Sequence, residues 1–183
     1  LAGNHEWAVI DKMSLNNFNP IAGKALVWTK TQLAQKEIDY LSTFPLTAQD
    51  QNKEMVHSSP EDPEKFYYIF TLQDALFSFQ MMRQEICFVG HTHVPFFFQK
   101  KAGIFQEIRQ ERICMEEGAK YLVNVGSVGQ PRDRDVRACY CIYYDDGKTI
   151  ELRRVSYQIR TAQKKIIDAG LPEFLAYRLA WGR

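Results

Sequence analysis

The stretch that most constrains the fold is a short apolar run ending in a histidine pair, Ile86–Val89 followed by Gly90-His91-Thr92-His93. Side chains at positions i and i+2 of an extended segment point to the same side, so the two imidazoles can face one ligand. Gly90 lacks a Cβ, which allows the backbone to approach that ligand closely. An apolar strand that presents two metal ligands at its carboxyl end is typical of the crevice of an α/β protein.

Length and charge restrict the class of protein. At 183 residues the chain is long enough for one full domain, and we expect residues 1–183 to form a single domain. Its 23 basic and 22 acidic residues give a net charge of +1, so electrostatics indicate neither a specific nucleic-acid partner nor an anionic membrane. The apolar runs are far shorter than the roughly 20 residues that cross a bilayer. A homo-oligomer is compatible with the sequence.

The four cysteines indicate the compartment. Cys87, Cys114, Cys139 and Cys141 form no Cys-x-x-Cys pair and match no dense disulfide framework. Cys139 and Cys141 lie in an apolar, strand-like stretch, where they are expected to pack as small hydrophobic residues. This usage is typical of a reduced, cytoplasmic protein.

Hydrophobic periodicity predicts helices and strands first and then a region rich in strands. Residues 3–6 are predicted to form a loop, and residues 19–44 are predicted to be helical, with Leu26 and Trp28 among the core candidates. Thr71 resembles an N-cap that opens a helix through about Arg83, and residues 145–148 resemble a hairpin turn. A final helix is predicted over residues 159–169. The predicted strands cover residues 54–57, 86–89, 94–99, 104–108, 120–125, 138–144 and 149–155.

The chain has only four histidines, His5, His57, His91 and His93, and each is predicted to follow a strand or to lie in a loop. In an open α/β sheet the carboxyl ends of the strands converge on the ligand crevice, so these imidazoles are candidates for one shared site. Nitrogen and oxygen ligands of this kind suit zinc, manganese or iron better than a thiolate zinc site.

Three motifs together resemble a known family. Gly3-Asn4-His5-Glu6, Val56-His57-Ser58-Ser59-Pro60 and Gly90-His91-Thr92-His93 resemble, in order and approximate spacing, the later motifs of calcineurin-like metallophosphoesterases. The segment from Asn124 to Asp133 is similar to the following loop in the small bacterial and archaeal phosphodiesterase branch. The resemblance implies an α/β fold, a four-layer α-β-β-α sandwich with two mixed sheets and helices outside.

The resemblance also implies roles for the site residues. Asn4, His57 and His91 would bind one metal ion and His93 a second, while His5 would lie near the substrate phosphate. The two divalent ions (manganese, iron, zinc or nickel) would activate a bridging hydroxide for attack on phosphorus. The implied function is hydrolysis of a small phosphoester, a phosphodiester or a nucleotide-type substrate.

Two departures from the family affect this expectation. Members open with an Asp-x-His strand and a Gly-Asp segment that supply acidic ligands, and neither segment occurs here. Ser58 stands where the family usually has glycine. We therefore expect an N-terminally truncated member that lacks the first strand or strands and has crippled activity.

Several alternatives remain open at this point. A non-catalytic protein-interaction scaffold on the same fold is favoured by the missing acidic ligands, whereas the retained histidines favour an enzyme. A structural zinc protein is the weakest reading, because no cysteine lies near a histidine motif. Arg132 could contact phosphate or form a salt bridge with Asp133 or Asp135. The aromatic residues 66–68 and 96–98 are expected to pack in the core rather than to stack on bases.

Overall fold

The computed structural model describes residues 1–183, which form six α-helices and nine β-strands. The helices are α1 (Asn4–Val9), α2 (Pro20–Gln32), α3 (Gln35–Ser42), α4 (Leu72–Met81), α5 (Ile159–Asp168) and α6 (Glu173–Tyr177). The strands are β1 (Thr47–Asp50), β2 (Lys53–Val56), β3 (Ile86–Val89), β4 (Phe96–Lys101), β5 (Ile104–Ile108), β6 (Arg112–Cys114), β7 (Ala119–Asn124), β8 (Ala138–Tyr144) and β9 (Thr149–Val155).

The main sheet is mixed and has the strand order β1-β2-β3-β7-β4-β5. Strands β2, β3 and β7 are parallel neighbours, with Met55 paired to Phe88 and Val89 paired to Asn124. Strand β4 runs antiparallel to β7, so it begins at the edge where the three parallel strands end. The carboxyl ends of three strands and the start of a fourth therefore meet at one edge of the sheet, which is where a ligand crevice is expected.

A second sheet, with the order β6-β9-β8, packs on the first. Its strands are all antiparallel, which corrects the expectation of two mixed sheets. The reason is local, because the predicted turn at residues 145–148 joins β8 to β9 as a hairpin and brings consecutive strands side by side. The core between the two sheets contains Ile86, Phe97, Tyr121 and Val123 from the main sheet and Ile113 and Ile150 from the second.

Helix α4 covers the other face of the main sheet. Its start is the predicted Thr71 cap, where Thr71 Oγ1 accepts from the Asp74 backbone N–H at 3.2 Å and the Asp74 carboxylate accepts from the Thr71 N–H at 2.9 Å. The helix buries Ala75, Phe79 and Met82 against the sheet. Burial of a side chain as large as that of Phe79 contributes about 1.5–3 kcal/mol. The prediction of a layered α/β fold, with a central mixed sheet flanked by helices, is confirmed.

Two predictions about the N-terminal region are wrong. Residues 3–6 do not form a loop, because helix α1 begins at Asn4 and therefore includes His5. The Glu6 carboxylate accepts from the Gly3 N–H at 2.8 Å and closes the first turn, as in a capping box. Trp28 lies on the outer face of α2 instead of the core, whereas Leu26 is buried as predicted.

Strands β3, β5, β8 and β9 have the predicted bounds, and β2, β4 and β7 differ from their predictions by one or two residues at each end. Strands β1 and β6 were not predicted, because both are short and their exposed positions give little hydrophobic alternation. The helical region between residues 19 and 44 is broken into α2 and α3 at Leu33 and Ala34, which are both extended. All four cysteines are free, and none of the helices is long and apolar enough to cross a membrane.

Candidate active site

The histidine motifs lie at the edge of the main sheet where the parallel strands end. His57 directly follows β2, and Gly90 directly follows β3. A main-chain hydrogen bond from the Gly90 N–H to the His57 carbonyl, 2.9 Å long, ties these two segments together beyond the last strand residues. The predicted convergence of strand ends on the histidines is therefore present.

Three side-chain donor atoms meet at this edge. His57 Nε2 lies 3.1 Å from Asn4 Oδ1 and 3.0 Å from His91 Nδ1. His57 Nε2 carries at most one hydrogen, which can go to Asn4 Oδ1 or to His91 Nδ1 but not to both, whereas a cation could accept a lone pair from each of the three atoms. Ligand atoms at right angles, about 2.1 Å from an ion, are themselves about 3 Å apart, so the spacing suits a divalent metal.

The donor set contains no carboxylate. The structure has no group of three or more His, Cys, Asp or Glu side chains arranged to hold a metal ion. The two imidazoles are completed only by the neutral amide of Asn4. Glu6, the acidic residue nearest in sequence, uses its carboxylate to cap helix α1.

Gly3 is required beside His57. A Cβ at position 3 would lie 2.6 Å from His57 Nδ1, far closer than a side-chain atom can approach a ring. Gly90, by contrast, would place a Cβ 3.6 Å from the His57 carbonyl oxygen, which is an ordinary contact. Within the protein, the glycine that a side chain could not replace is therefore Gly3, and the approach of a ligand to Gly90 stays a prediction.

The loop that carries the histidine pair has an uncommon backbone. His91 and His93 both have φ of 62°, in the left-handed region that costs a residue with a side chain about 1–2 kcal/mol. Such conformations cluster at functional sites and persist only where neighbouring contacts enforce them. The strand-like i, i+2 geometry predicted for the pair is therefore wrong, because the strand ends at Val89 and the histidines lie in a tight loop.

Asn124 is the residue that enforces this loop. Its side-chain amide donates to the Gly90 carbonyl at 2.6 Å and to Thr92 Oγ1 at 2.9 Å, and its Oδ1 accepts from the Gly126 N–H at 2.9 Å. Asn124 is fully buried at the end of β7. The sequence motif predicts only that a loop begins at Asn124, although an asparagine that ends an apolar strand was the available signal for a bracing role.

A hydrogen bond determines which ring nitrogen of His93 carries the hydrogen. His93 Nδ1 lies 2.7 Å from the backbone carbonyl of Gln130, and because a carbonyl can only accept, Nδ1 carries the hydrogen. Its Nε2 is then the nitrogen with the free lone pair, the arrangement that orients a metal-ligating histidine.

Burial keeps the histidine pair neutral. It lowers the pKa of His91 to about 3, with help from the charges of His57 and His93. The pKa of His93 falls to about 4, first through burial and then through the positive charge of Arg132. Burial also lowers the pKa of His57. Neutral imidazoles are the form that binds metal ions.

His5 lies beside the three residues whose donor atoms meet, Asn4, His57 and His91, which are called the trio below. It is exposed in the wall of a cleft of about 680 Å³, and its ring contacts Phe18 edge-to-face at 5.3 Å. The surrounding protein lowers its pKa, Glu6 opposes this shift, and Arg132 adds to it. No hydrogen bond joins His5 to the other three histidines.

Of the two alternatives for Arg132, the salt bridge with Asp133 or Asp135 is not formed. The Arg132 guanidinium donates to the side-chain oxygen of Gln130 at 2.7 and 3.1 Å. Asp133 instead pairs with Arg154, and Asp135 pairs with Arg137. Arg132 consequently keeps an unpaired positive charge beside the histidines.

The aromatic segment at residues 66–68 only partly follows its prediction. Phe66 is buried, as are Phe96, Phe97 and Phe98, in agreement with core packing. Tyr68 is half exposed and stacks on the His91 ring, with 4.1 Å between ring centroids. Tyr68 therefore fixes the plane of the His91 ring, a candidate metal ligand. This role could not be predicted locally, because the two residues lie far apart in the sequence.

A family model and a protein of similar sequence match this chain. The family model described as "Calcineurin-like phosphoesterase superfamily domain" matches residues 1–147. The uncharacterized protein MJ0912 of Methanocaldococcus jannaschii is 36% identical over 188 residues, a match that covers 100% of this chain and 75% of that protein.

Two solved structures share the fold. A metallophosphoesterase from Sphaerobacter thermophilus superposes with a TM-score of 0.83 at 38% identity, covering 99% of this chain and 75% of that one. The hypothetical protein PH1004 from Pyrococcus horikoshii OT3 has a TM-score of 0.76 at 17% identity, covering 100% of this chain and 72% of that one, which shows the fold alone. On the family match and on its identity to these relatives, the chain belongs to the calcineurin-like phosphoesterase superfamily.

Proposed function

We propose that this protein is a metal-dependent phosphoester hydrolase whose cation site is built on Asn4, His57 and His91. The observation that carries the proposal is the meeting of three donor atoms, with contacts of 3.0 and 3.1 Å, at the carboxyl ends of parallel strands. Membership of a phosphoesterase superfamily supports the reaction class.

A divalent cation bound there would supply Lewis acidity for a phosphoryl oxygen and would lower the pKa of an attacking water. Asn4 Oδ1, His57 Nε2 and His91 Nδ1 would hold it. His93 Nε2, freed by the hydrogen bond of Nδ1 to Gln130, would contribute to a second cation, as in two-metal phosphoesterases. The identity of the metal is left to experiment, with manganese, iron, zinc and nickel as the candidates.

His5 and Arg132 would act on the phosphate. Arg132 has no carboxylate partner, and Gln130 accepts only from Nε and from one terminal nitrogen, so the remaining terminal N–H groups are available to a phosphate. The exposed His5 ring faces the same cleft, from which it could stabilise the charge that develops on phosphate or protonate the leaving oxygen.

The neutral donor set limits the reaction. Two imidazoles and an amide bring no negative charge to offset that of the cation, so we propose that residues 1–183 bind it weakly and turn substrate over slowly. A small phosphodiester or nucleotide-type substrate is proposed. We further propose a cytoplasmic protein without a nucleic-acid partner, and the four free thiols support a reducing compartment.

The test uses bis-p-nitrophenyl phosphate with manganese, zinc, iron or nickel, together with calorimetric titration of each metal. H91A is expected to lose metal binding and turnover, since His91 Nδ1 contributes to the trio. N4A should weaken the metal about 10–100-fold, as for loss of one ligand contact. N17A, an exposed asparagine outside the trio, is the matched control and should behave as the parent.

Equal turnover in H91A and the parent protein would overturn the assignment of His91. A protein that neither binds nor uses any of these metals would instead support the alternative, a non-catalytic interaction scaffold.

A further inference from the structure

A second feature of the site is the cleft that His5 faces. It has a volume of about 680 Å³ and lies between the amino-terminal end of α2 and the C-terminal segment formed by α5, α6 and the residues after them. Its walls are mainly apolar, with Ile21, Ala25, Ile166, Leu171, Leu175 and Leu179. An apolar cleft with few polar groups is the usual form of a small-molecule site.

Two arginines, Arg132 and Arg178, line this cleft, and no Asp or Glu side chain pairs with either. The Arg132 side chain bonds only to the Gln130 side chain, and Arg178 Nε donates to the main-chain oxygen of Arg183. The Arg178 guanidinium lies 5.3 Å from the Phe174 ring, which fixes its position at the wall. Both side chains are half-buried, and the positive charge of Arg132 adds to the burial that lowers the pKa of Arg178.

Two positive charges in an apolar cleft disfavour each other and are poorly solvated. An anionic ligand would offset both costs, and an arginine fork matches a carboxylate or phosphate with paired hydrogen bonds. Arg132 has the phosphate of the reacting ester to contact under the proposed function. Arg178 uses Nε on the main-chain oxygen of Arg183, but its terminal N–H groups make no hydrogen bond, and it lines the same space.

Gln130 connects the cleft to the histidines. Its backbone carbonyl accepts from His93 Nδ1, while its side-chain oxygen accepts from Arg132. A phosphate bound by Arg132 would therefore lie next to the candidate metal ligands, with the apolar wall and Arg178 lining the rest of the same cleft.

We propose that this cleft binds the organic part of the substrate, and that the substrate is a phosphoester whose apolar group carries a second anionic group held by Arg178. This inference rests on the proposed function for the position of the reacting phosphate. The second anion is a carboxylate or a second phosphate.

The test compares kcat/KM, with manganese present, for phenyl phosphate, 4-carboxyphenyl phosphate and 1,4-phenylene bisphosphate. The parent protein should prefer at least one of the doubly anionic probes about tenfold, the effect of one charge-assisted hydrogen-bonded contact. R178Q should reduce that preference to about one through a rise in KM, and R178K should retain part of it. R109Q removes the same charge from an exposed side chain outside the cleft and should keep the full preference.

The two anionic probes distinguish a carboxylate from a phosphate as the second group. A parent protein without preference, or an R178Q variant that keeps it, would overturn the inference. If none of these phosphomonoesters is hydrolysed, the proposed function is decided by bis-p-nitrophenyl phosphate alone, and the cleft is tested separately by titrating benzylphosphonate and 4-carboxybenzylphosphonate in the presence of EDTA. Tighter binding of the carboxylated analogue, lost in R178Q, would support the cleft, and equal binding would refute it.

Discussion

His57 Nε2 lies 3.0 Å from His91 Nδ1, although 34 residues separate the two histidines in the chain. Both follow strands that are parallel neighbours, and the Gly90 N–H bonds to the His57 carbonyl just beyond those strands. The distance between the rings is therefore set by the strand spacing and by a main-chain hydrogen bond. Changes that disturb either segment should affect the ring pair as a unit.

Substitution of Gly3 by alanine should displace His57. The new Cβ would lie 2.6 Å from His57 Nδ1, so the ring or helix α1 must move. We expect G3A to destabilise the protein by about 1–3 kcal/mol, as for an overpacked site, and to weaken manganese binding at least tenfold. Urea unfolding and calorimetric titration measure the two effects.

The control for G3A is G23A, within helix α2, where a Cβ meets nothing within 4 Å. Alanine in a helix interior should stabilise the protein by about 0.5–1 kcal/mol and leave metal binding unchanged. Unaltered metal binding in G3A would show that the ring can move without loss of the site.

Substitution of Gly126 by alanine, on the other side of the histidine loop, should also destabilise the protein. It has φ of +75°, and a Cβ there would lie 2.6 Å from the buried Cys139 Sγ. Gly118 has φ of +73° but open space around it, so G118A isolates the backbone strain of about 1–2 kcal/mol. G126A should cost about 1–3 kcal/mol more than G118A, measured by urea unfolding. Equal losses of unfolding free energy in the two variants would mean that the Cys139 side chain moves aside without a measurable cost.

Loss of the Asn124 amide should loosen the loop that holds His91 and His93. N124A removes three hydrogen bonds and leaves the partly buried Gly126 N–H without its acceptor, whereas the Gly90 carbonyl keeps the Thr92 N–H at 2.7 Å. We expect a loss of about 2–4 kcal/mol in unfolding free energy, together with weaker metal binding.

The comparison for N124A is N52A, which removes one surface hydrogen bond, from Asn52 to the Glu85 carboxylate at 3.1 Å. That variant should lose less than about 1 kcal/mol and bind metal as the parent does. An N124A protein as stable as N52A would contradict the bracing role.

Lowering the pH should remove the contribution of the Asp135 carboxylate to the free energy of unfolding. Hydrogen bonds from the Arg137 side chain lower the pKa of Asp135 to about 2, from an ordinary value of 3.8. Because the folded pKa lies below the unfolded one, the stabilisation is present above the unfolded pKa and is lost as pH falls through the folded pKa. The Asp135 side chain is 28% exposed, so solvent screening reduces the contribution to about 1–2 kcal/mol.

The measurement is urea unfolding of D135N and the parent between about pH 7 and about pH 2.5. D135N should be less stable near neutrality, and the difference should shrink toward the acid end. D146N, which removes an exposed carboxylate without an ion pair in the hairpin turn, should show no such convergence. A difference that is constant with pH would contradict the role of the Asp135 charge.

Local signals predicted much of the fold. The Thr71 cap, the turn at residues 145–148 and strands β5, β8 and β9 depend on residues close in sequence, and all are present as predicted. The start of helix α1 was missed because its cap uses Gly3 backbone and the Glu6 side chain, a weaker pattern than Ser or Thr followed by Glu.

The sequence alone determined which residues are candidates and which family the chain resembles, because four histidines in recognisable motifs are a local, countable pattern. Only the tertiary structure decided how they are held. Asn124 braces the loop, Tyr68 orients the His91 ring, and Arg132 is left without a carboxylate. Each of these contacts joins segments that a sheet edge brings together, and the pairing of distant segments depends on strand order and register rather than on any local pattern of residues.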